Sequence, residues 1–179
     1  MDARLAAVPQ SMRDRMYALL ARPWSGVERF EPIDDRSDYK YANCFGTAVF
    51  CAGLERQLSA MLAQHEREIA WSLHWWPLHV SLPRDPARPG YVDEGAMERL
   101  LTSTPGITKV TDALPGDILV LHNHRFEHAG IIVGMQDEDA QVFHQREYQG
   151  IFEISTVRAY LEYRALPYEL DNSVFRIGQ

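Results

Sequence analysis

Asn43-Cys44-Phe45-Gly46-Thr47-Ala48-Val49-Phe50-Cys51 is the best-specified stretch of the chain. Its apolar spacing predicts a long helix from about Asn43 to Ile69. At about 100° per residue, Cys44, Ala48, Cys51, Leu54, Leu58, Met61 and Leu62 share one face. Asn43 is a good N-cap type, which puts Cys44 in the first turn. Unpaired backbone N–H groups and the positive end of the helix dipole stabilise a thiolate there. The same donors can serve an oxyanion hole. The competing reading of Cys44 is a small buried hydrophobe. Cys51 lies about 10 Å further along the axis, beyond the disulfide reach of about 7 Å, and reads as core. Gly46 and Gly53 fall together on the other side. Each costs about 1 kcal/mol inside a helix, so backbone or a large side chain is expected to approach there. The helix is therefore expected to be covered on more than one face.

Working outward, Ser11 is placed to cap an earlier helix, with Asp14 three residues on and Met12, Met16, Leu19 and Leu20 as its stripe. Pro23 is its expected stop, and residues 25–40 read as a loop. Residues 71–90 carry Trp71, Trp75 and Trp76 with Pro77, Pro83, Pro86 and Pro89, too many prolines for central strands. Residues 93–103 read as a short helix. From Lys109 the pattern changes. Leu114-Pro115-Gly116-Asp117 is a turn and Ile118-Leu119-Val120-Leu121 a strand. A polar connection from His122 to Glu127 leads to a strand at His128–Gly134. A turn at Asp137-Glu138-Asp139 leads to a strand at Gln141–Gln145. Ser155 is placed to cap a helix through Tyr163, and Val174-Phe175-Arg176-Ile177 closes as a strand. Helices first and a mostly antiparallel meander after them make an α+β order.

The 179 residues fit one domain. A hydrophobic fraction of 46% argues against disorder. Two cysteines cannot build a disulfide scaffold or a four-cysteine zinc site. A net charge of −7, with scattered Arg, argues against a general nucleic-acid binder. The absence of an 18-residue apolar run leaves no membrane span. The opening Met1-Asp2-Ala3-Arg4-Leu5 has an early acid and no long apolar core, unlike a secretory leader. The expected location is the cytoplasm, or export by a specialised route.

Four of the seven histidines lie between 122 and 144. A thiolate nucleophile needs an imidazole to take its proton, and a third polar group to orient that imidazole. The order here is Asn43-Cys44-Phe45-Gly46 at a helix start, Pro115-Gly116-Asp117 before a strand, then His128-Ala129-Gly130-Ile131-Ile132-Val133-Gly134 and a strand bearing His144. That ordered set resembles the NlpC/P60 superfamily of papain-like cysteine peptidases and amidases over about residues 42–146. The resemblance implies a papain-like domain over 1–179, with the Cys-bearing helix packed on a mostly antiparallel sheet. It implies Cys44 as nucleophile, His128 as general base and His144 as the third residue, with no metal or cofactor. It implies a peptide or peptidoglycan-fragment substrate, and the Cys-before-His order favours the hydrolase branch over acyltransferase relatives.

The sequence departs from the family in places. Asn43 stands where Asp is usual and Phe45 where Ser is usual. The long interval between Cys44 and His128 implies an insertion at 71–105 that shapes a cleft. Strand alternation puts His144 with Val142 on one face and Gln145 with Phe143 on the other, so Gln145 is a rival third residue. Tyr39 and Tyr41 are candidate oxyanion donors, against the plainer reading of loop tyrosines. A metal site at His122, His124, His128 and His144 is the rival chemistry, but it leaves Cys44 unexplained. A non-catalytic module with an aromatic groove at Trp71, Trp75 and Trp76 is the rival class, against a wrapped hydrophobic cluster.

Overall fold

A computed structural model describes residues 2–21, 43–69, 78, 80–81, 89–122, 126–146, 152–164 and 170–178. The expected residues at Tyr39, Tyr41, Trp71, Trp75, Trp76 and His124 lie outside these. The fold is α+β. Helices α1 (Gln10–Leu20), α2 (Cys44–Ala52), α3 (Glu55–Ile69), α4 (Glu94–Ser103) and α5 (Val157–Tyr163) accompany two sheets. Strands β1 (Val80–Ser81) and β2 (Tyr91–Val92) form a small antiparallel pair. The main sheet holds β3 (Ile107–Val110), β4 (Ile118–His122), β5 (Phe126–Gln136), β6 (Asp139–Gln145), β7 (Phe152–Thr156) and β8 (Asp171–Ile177). Its order is β3-β8-β4-β5-β6-β7 and every neighbouring pair is antiparallel.

Side-chain alternation on the strands gives the sheet two differently covered faces. Ile118, Val120, Ala129, Ile131, Val133 and Phe143 join the core built with α1, α2 and α4. Leu119, Leu121, Ile132 and Val142 turn the other way and pack with Tyr160 and Leu161 of α5. Helix α4 contributes Ala96, Met97, Leu100 and Leu101, all buried, to the larger core. The later part of the expected insertion is thus an integral layer of the fold.

The expected long helix at 43–69 is two helices. Gly53 takes φ +72 and caps α2 in the left-handed conformation, its amide bonding back to the last turn. Only glycine enters that region without a steric cost. Helix α1 has Pro9, not Ser11, at its N-cap position; Ser11 lies inside the helix. No side-chain hydrogen bond caps its first turn. Asp93 caps α4 as a helix start there would require, accepting from the Ala96 amide at 2.7 Å. Ser155 belongs to β7, and Thr156 is the cap of α5.

The Pro115-Gly116-Asp117 turn is a brace. Gly116 takes φ +101. The Asp117 carboxylate is buried and accepts from the Leu114 amide at 2.8 Å. It also takes two hydrogen bonds from Arg176 of β8, at 3.1 and 2.9 Å. Bidentate guanidinium–carboxylate pairing fixes direction as well as distance, so this turn sets where β4 enters the sheet.

Candidate active site

Cys44 is the first residue of α2, and Asn43 caps it. Asn43 Oδ1 accepts from the Gly46 amide at 2.9 Å. The same side chain clamps β2: it accepts from the Val92 amide at 3.2 Å and donates through Nδ2 to the Val92 carbonyl at 2.7 Å. Gly46 makes this junction possible. A Cβ there would stand 1.7 Å from the Gly90 carbonyl oxygen. The close approach expected at Gly46 is therefore real and comes from the 89–92 segment.

Cys44 is half-buried and Cys51 is buried; neither forms a disulfide. Burial raises the Cys44 thiol to about 11. The amides of Ala129, Phe45 and Cys44 and the positive charge of Arg164 act in the opposite direction. The helix start thus does what its dipole predicts, but desolvation outweighs it. Burial pushes Cys51 up as well, with no helix-end donors to oppose it.

His128 and His144 meet. His128 Nε2 lies 3.1 Å from His144 Nδ1, and the rings stand edge to face. Both side chains are nearly inaccessible, at 6% and 1%. His128 stacks on Tyr160 of α5 with centroids 4.0 Å apart. On its far side His144 Nε2 sits 2.7 Å from Ser155 Oγ and 3.6 Å from Glu153 Oε1, while Glu153 also pairs with Arg146 at 3.2 Å. Burial holds His128 well below the usual imidazole range, helped by His144 and Arg164. Burial also lowers His144, to about 4, against the opposing effect of the Gln145 backbone. Both rings are neutral near pH 7, as proton acceptors must be.

Gly130 brings the pair together. A Cβ on it would meet Val142 Cγ1 at 2.3 Å and His144 Cβ at 3.0 Å. The missing side chain lets β6 close onto β5 and carries His144 into reach of His128. Gln145, on the other face, accepts from Thr47 of α2 at 2.8 Å. The face question left open by alternation is answered: His144 is the residue beside His128.

Alternation also sets Cys44 apart. Ala129 faces α2 in the core against which Cys44 packs, whereas His128 faces α5. Among the described residues no hydrogen bond joins the Cys44 thiol to either imidazole. The contact nearest to such a link is the Ala129 amide, one residue past His128, on the Cys44 sulfur. His122 bonds Ser173 at 2.8 Å instead of joining the pair. Among the described residues, no group of three His, Cys, Asp or Glu side chains is placed to hold a metal. No described helix is long and apolar enough to cross a membrane. Ser155 and Glu153 are the site residues that sequence reading missed. Both reach His144 only through the pairing of β7 with β6, which sets Glu153 opposite His144 and leaves no local sign in the sequence.

The chain matches no protein-family model, no curated protein and no solved structure.

Proposed function

We propose that the chain is a cysteine amidohydrolase of papain-like architecture, acting on an amide in a peptide or a peptidoglycan fragment. The observation that carries the reading is the seat of Cys44: a thiol at a capped helix start, within reach of three backbone N–H groups, on the peptide that follows a paired histidine. The imidazole pair supplies the other half. With His128 Nε2 engaged by His144, Nδ1 is the ring atom left for proton transfer.

The chemistry runs in two halves. His128 takes the Cys44 proton and the sulfur attacks the amide carbonyl, forming an S–C bond. The oxyanion rests on backbone N–H groups at the helix start. The C–N bond breaks as His128 returns the proton to the leaving amine. Water, deprotonated by His128, then attacks the thioester; the C–S bond breaks, His128 returns the proton to the Cys44 sulfur, and the acid is released. In the resting geometry Cys44 packs against the core that Ala129 joins, His128 stacks on Tyr160, and among the described residues no hydrogen bond joins the thiol to the imidazole. Proton transfer therefore requires a rearrangement at the start of β5, where its pairing with β4 is irregular between Leu121 and His122. The neutral resting thiol fits a base that acts on demand.

That same separation, with the raised thiol, favours a second reading: a non-catalytic module of the same fold. Two measurements separate the readings. Wild-type and Cys44→Ala proteins are produced with and without an added export signal, and Cys44 is titrated with a thiol reagent near neutral pH. Lysis by the exported wild type alone, with Cys44 labelled faster than Cys51, supports the hydrolase. Identical behaviour of the two proteins with no Cys44 labelling overturns the hydrolase.

A further inference from the structure

We propose that Ser155 and Glu153 are positioning residues that fix the proton on His144 Nε2, and thereby leave His128 Nδ1 as the basic atom. The inference rests on the hydrolase reading for its purpose, though not for its geometry. A carboxylate accepts hydrogen bonds and cannot donate them. Glu153 Oε1 lies 3.6 Å from His144 Nε2, and the Ser155 hydroxyl oxygen lies 2.7 Å from the same atom. At 3.6 Å the carboxylate favours a proton on Nε2 electrostatically, and the hydroxyl, which can donate or accept, then takes the acceptor role towards it. A neutral imidazole carries one proton, so Nδ1 of His144 must then be an acceptor. The group facing it at 3.1 Å is His128 Nε2, which must therefore carry the proton of its own ring. The lone pair of His128 is left on Nδ1. An acidic residue on β7, opposite His144, thus sets which nitrogen of His128 is the base.

The surroundings keep this chain from scrambling. Tyr160 stacks on His128 at 4.0 Å and meets His144 edge-on at 5.2 Å, packing against both rings. Arg146 pairs with Glu153 through its other oxygen, at 3.2 Å, and orients the carboxylate beside the ring. Arg164 opposes a second proton on His128, and Arg146 one on His144. The Gln145 backbone acts in the other sense and favours ring protonation. One shared proton per ring is the arrangement these groups select.

The test reads the tautomers directly. Long-range proton–nitrogen NMR on ring-labelled protein is expected to show His144 with its proton on Nε2 and His128 with its proton on Nε2. Glu153→Gln and Ser155→Ala are each expected to raise the Nδ1–H population of His144. The alkylation rate of Cys44 at pH 7 is expected to fall roughly tenfold in either variant, the rate equivalent of one neutral hydrogen bond. Ser155→Thr, which keeps a hydroxyl, is expected to restore it. A wild-type His144 with its proton on Nδ1, or tautomers unchanged in both variants, overturns the proposal. Cys44→Ala separates this from the larger reading. It is expected to abolish hydrolysis while the tautomers stay as in the wild type. Expected tautomers in a protein with no Cys44-dependent hydrolysis would sink the hydrolase and leave the proton assignment standing.

Discussion

At the scale of single residues, Asn43 shows what one side-chain amide does that a carboxylate cannot. An Asp in its place would still accept from the Gly46 amide. It could not donate to the Val92 carbonyl, as Asn43 Nδ2 does at 2.7 Å. A carboxylate would instead face that carbonyl in a site where the side chain is buried. Asn43→Asp is expected to cost about 2 kcal/mol at pH 7, the penalty for a buried acceptor left without a donor. The loss should shrink at low pH, where a protonated carboxyl regains a donor. Urea denaturation midpoints at pH 7 and pH 4, each against wild type at the same pH, check this. An Asn43→Asp protein as stable as wild type at pH 7 would show that the Val92 clamp contributes nothing. Asn at this position thus has a local reason: the residue ties β2 to the helix that starts at Cys44 as well as capping it. Sequence alone identified the cap, because capping depends on neighbours three residues away. The clamp spans 43 to 92 and left no local sign.

At the scale of elements, the β5–β6 pair is where packing decides chemistry. Gly130 reads in sequence as one more small residue in a strand. In the sheet it is the reason that Val142 and His144 approach β5 so closely. Gly130→Ala is expected to force the strands apart at that point and cost about 2 kcal/mol, the usual scale of overpacking. The His128–His144 distance should lengthen with it, and ring NMR should show the two titrations less strongly coupled. Adding Val142→Ala should recover part of the stability, since Val142 Cγ1 is the nearest obstacle, at 2.3 Å. A Gly130→Ala protein with wild-type stability and coupling would contradict this account of the strand pair. The helices teach the complementary lesson. The apolar stripe from Cys44 to Leu62 runs through Gly53 without interruption, so periodicity predicts one helix. The left-handed cap that divides it depends on φ at a single glycine, and composition does not reveal which glycines take that conformation.

At the scale of the whole molecule, two neutral buried imidazoles make stability depend on pH. His144 titrates at about 4 in the fold and near 6.5 when unfolded. Between those values the unfolded chain binds more protons than the folded one, so stability rises with pH across the window. It is fully present above about 6.5 and is lost as pH falls toward 4. His128 shifts in the same direction. His144 alone is expected to cost about 2 kcal/mol between pH 7 and pH 5. Thermal unfolding across that range is the measurement, and His144→Gln should flatten the dependence. A midpoint that holds steady in wild type from pH 7 to pH 5 would mean that the rings are not buried as neutral groups. By itself, the sequence determined the α+β order, the capped start at Cys44, the Pro115-Gly116-Asp117 turn and the strands bearing His128 and His144. Each of these follows from spacing and capping among near neighbours, which local physics fixes. Only the tertiary structure decided that His144 and not Gln145 stands beside His128, that Ser155 and Glu153 close the chain of ring contacts, and that Cys44 packs against the core that Ala129 joins. Those outcomes depend on which face of a strand meets which layer. A strand's alternation defines two faces but does not say which helix will cover each one, and only the packing of distant segments settles it.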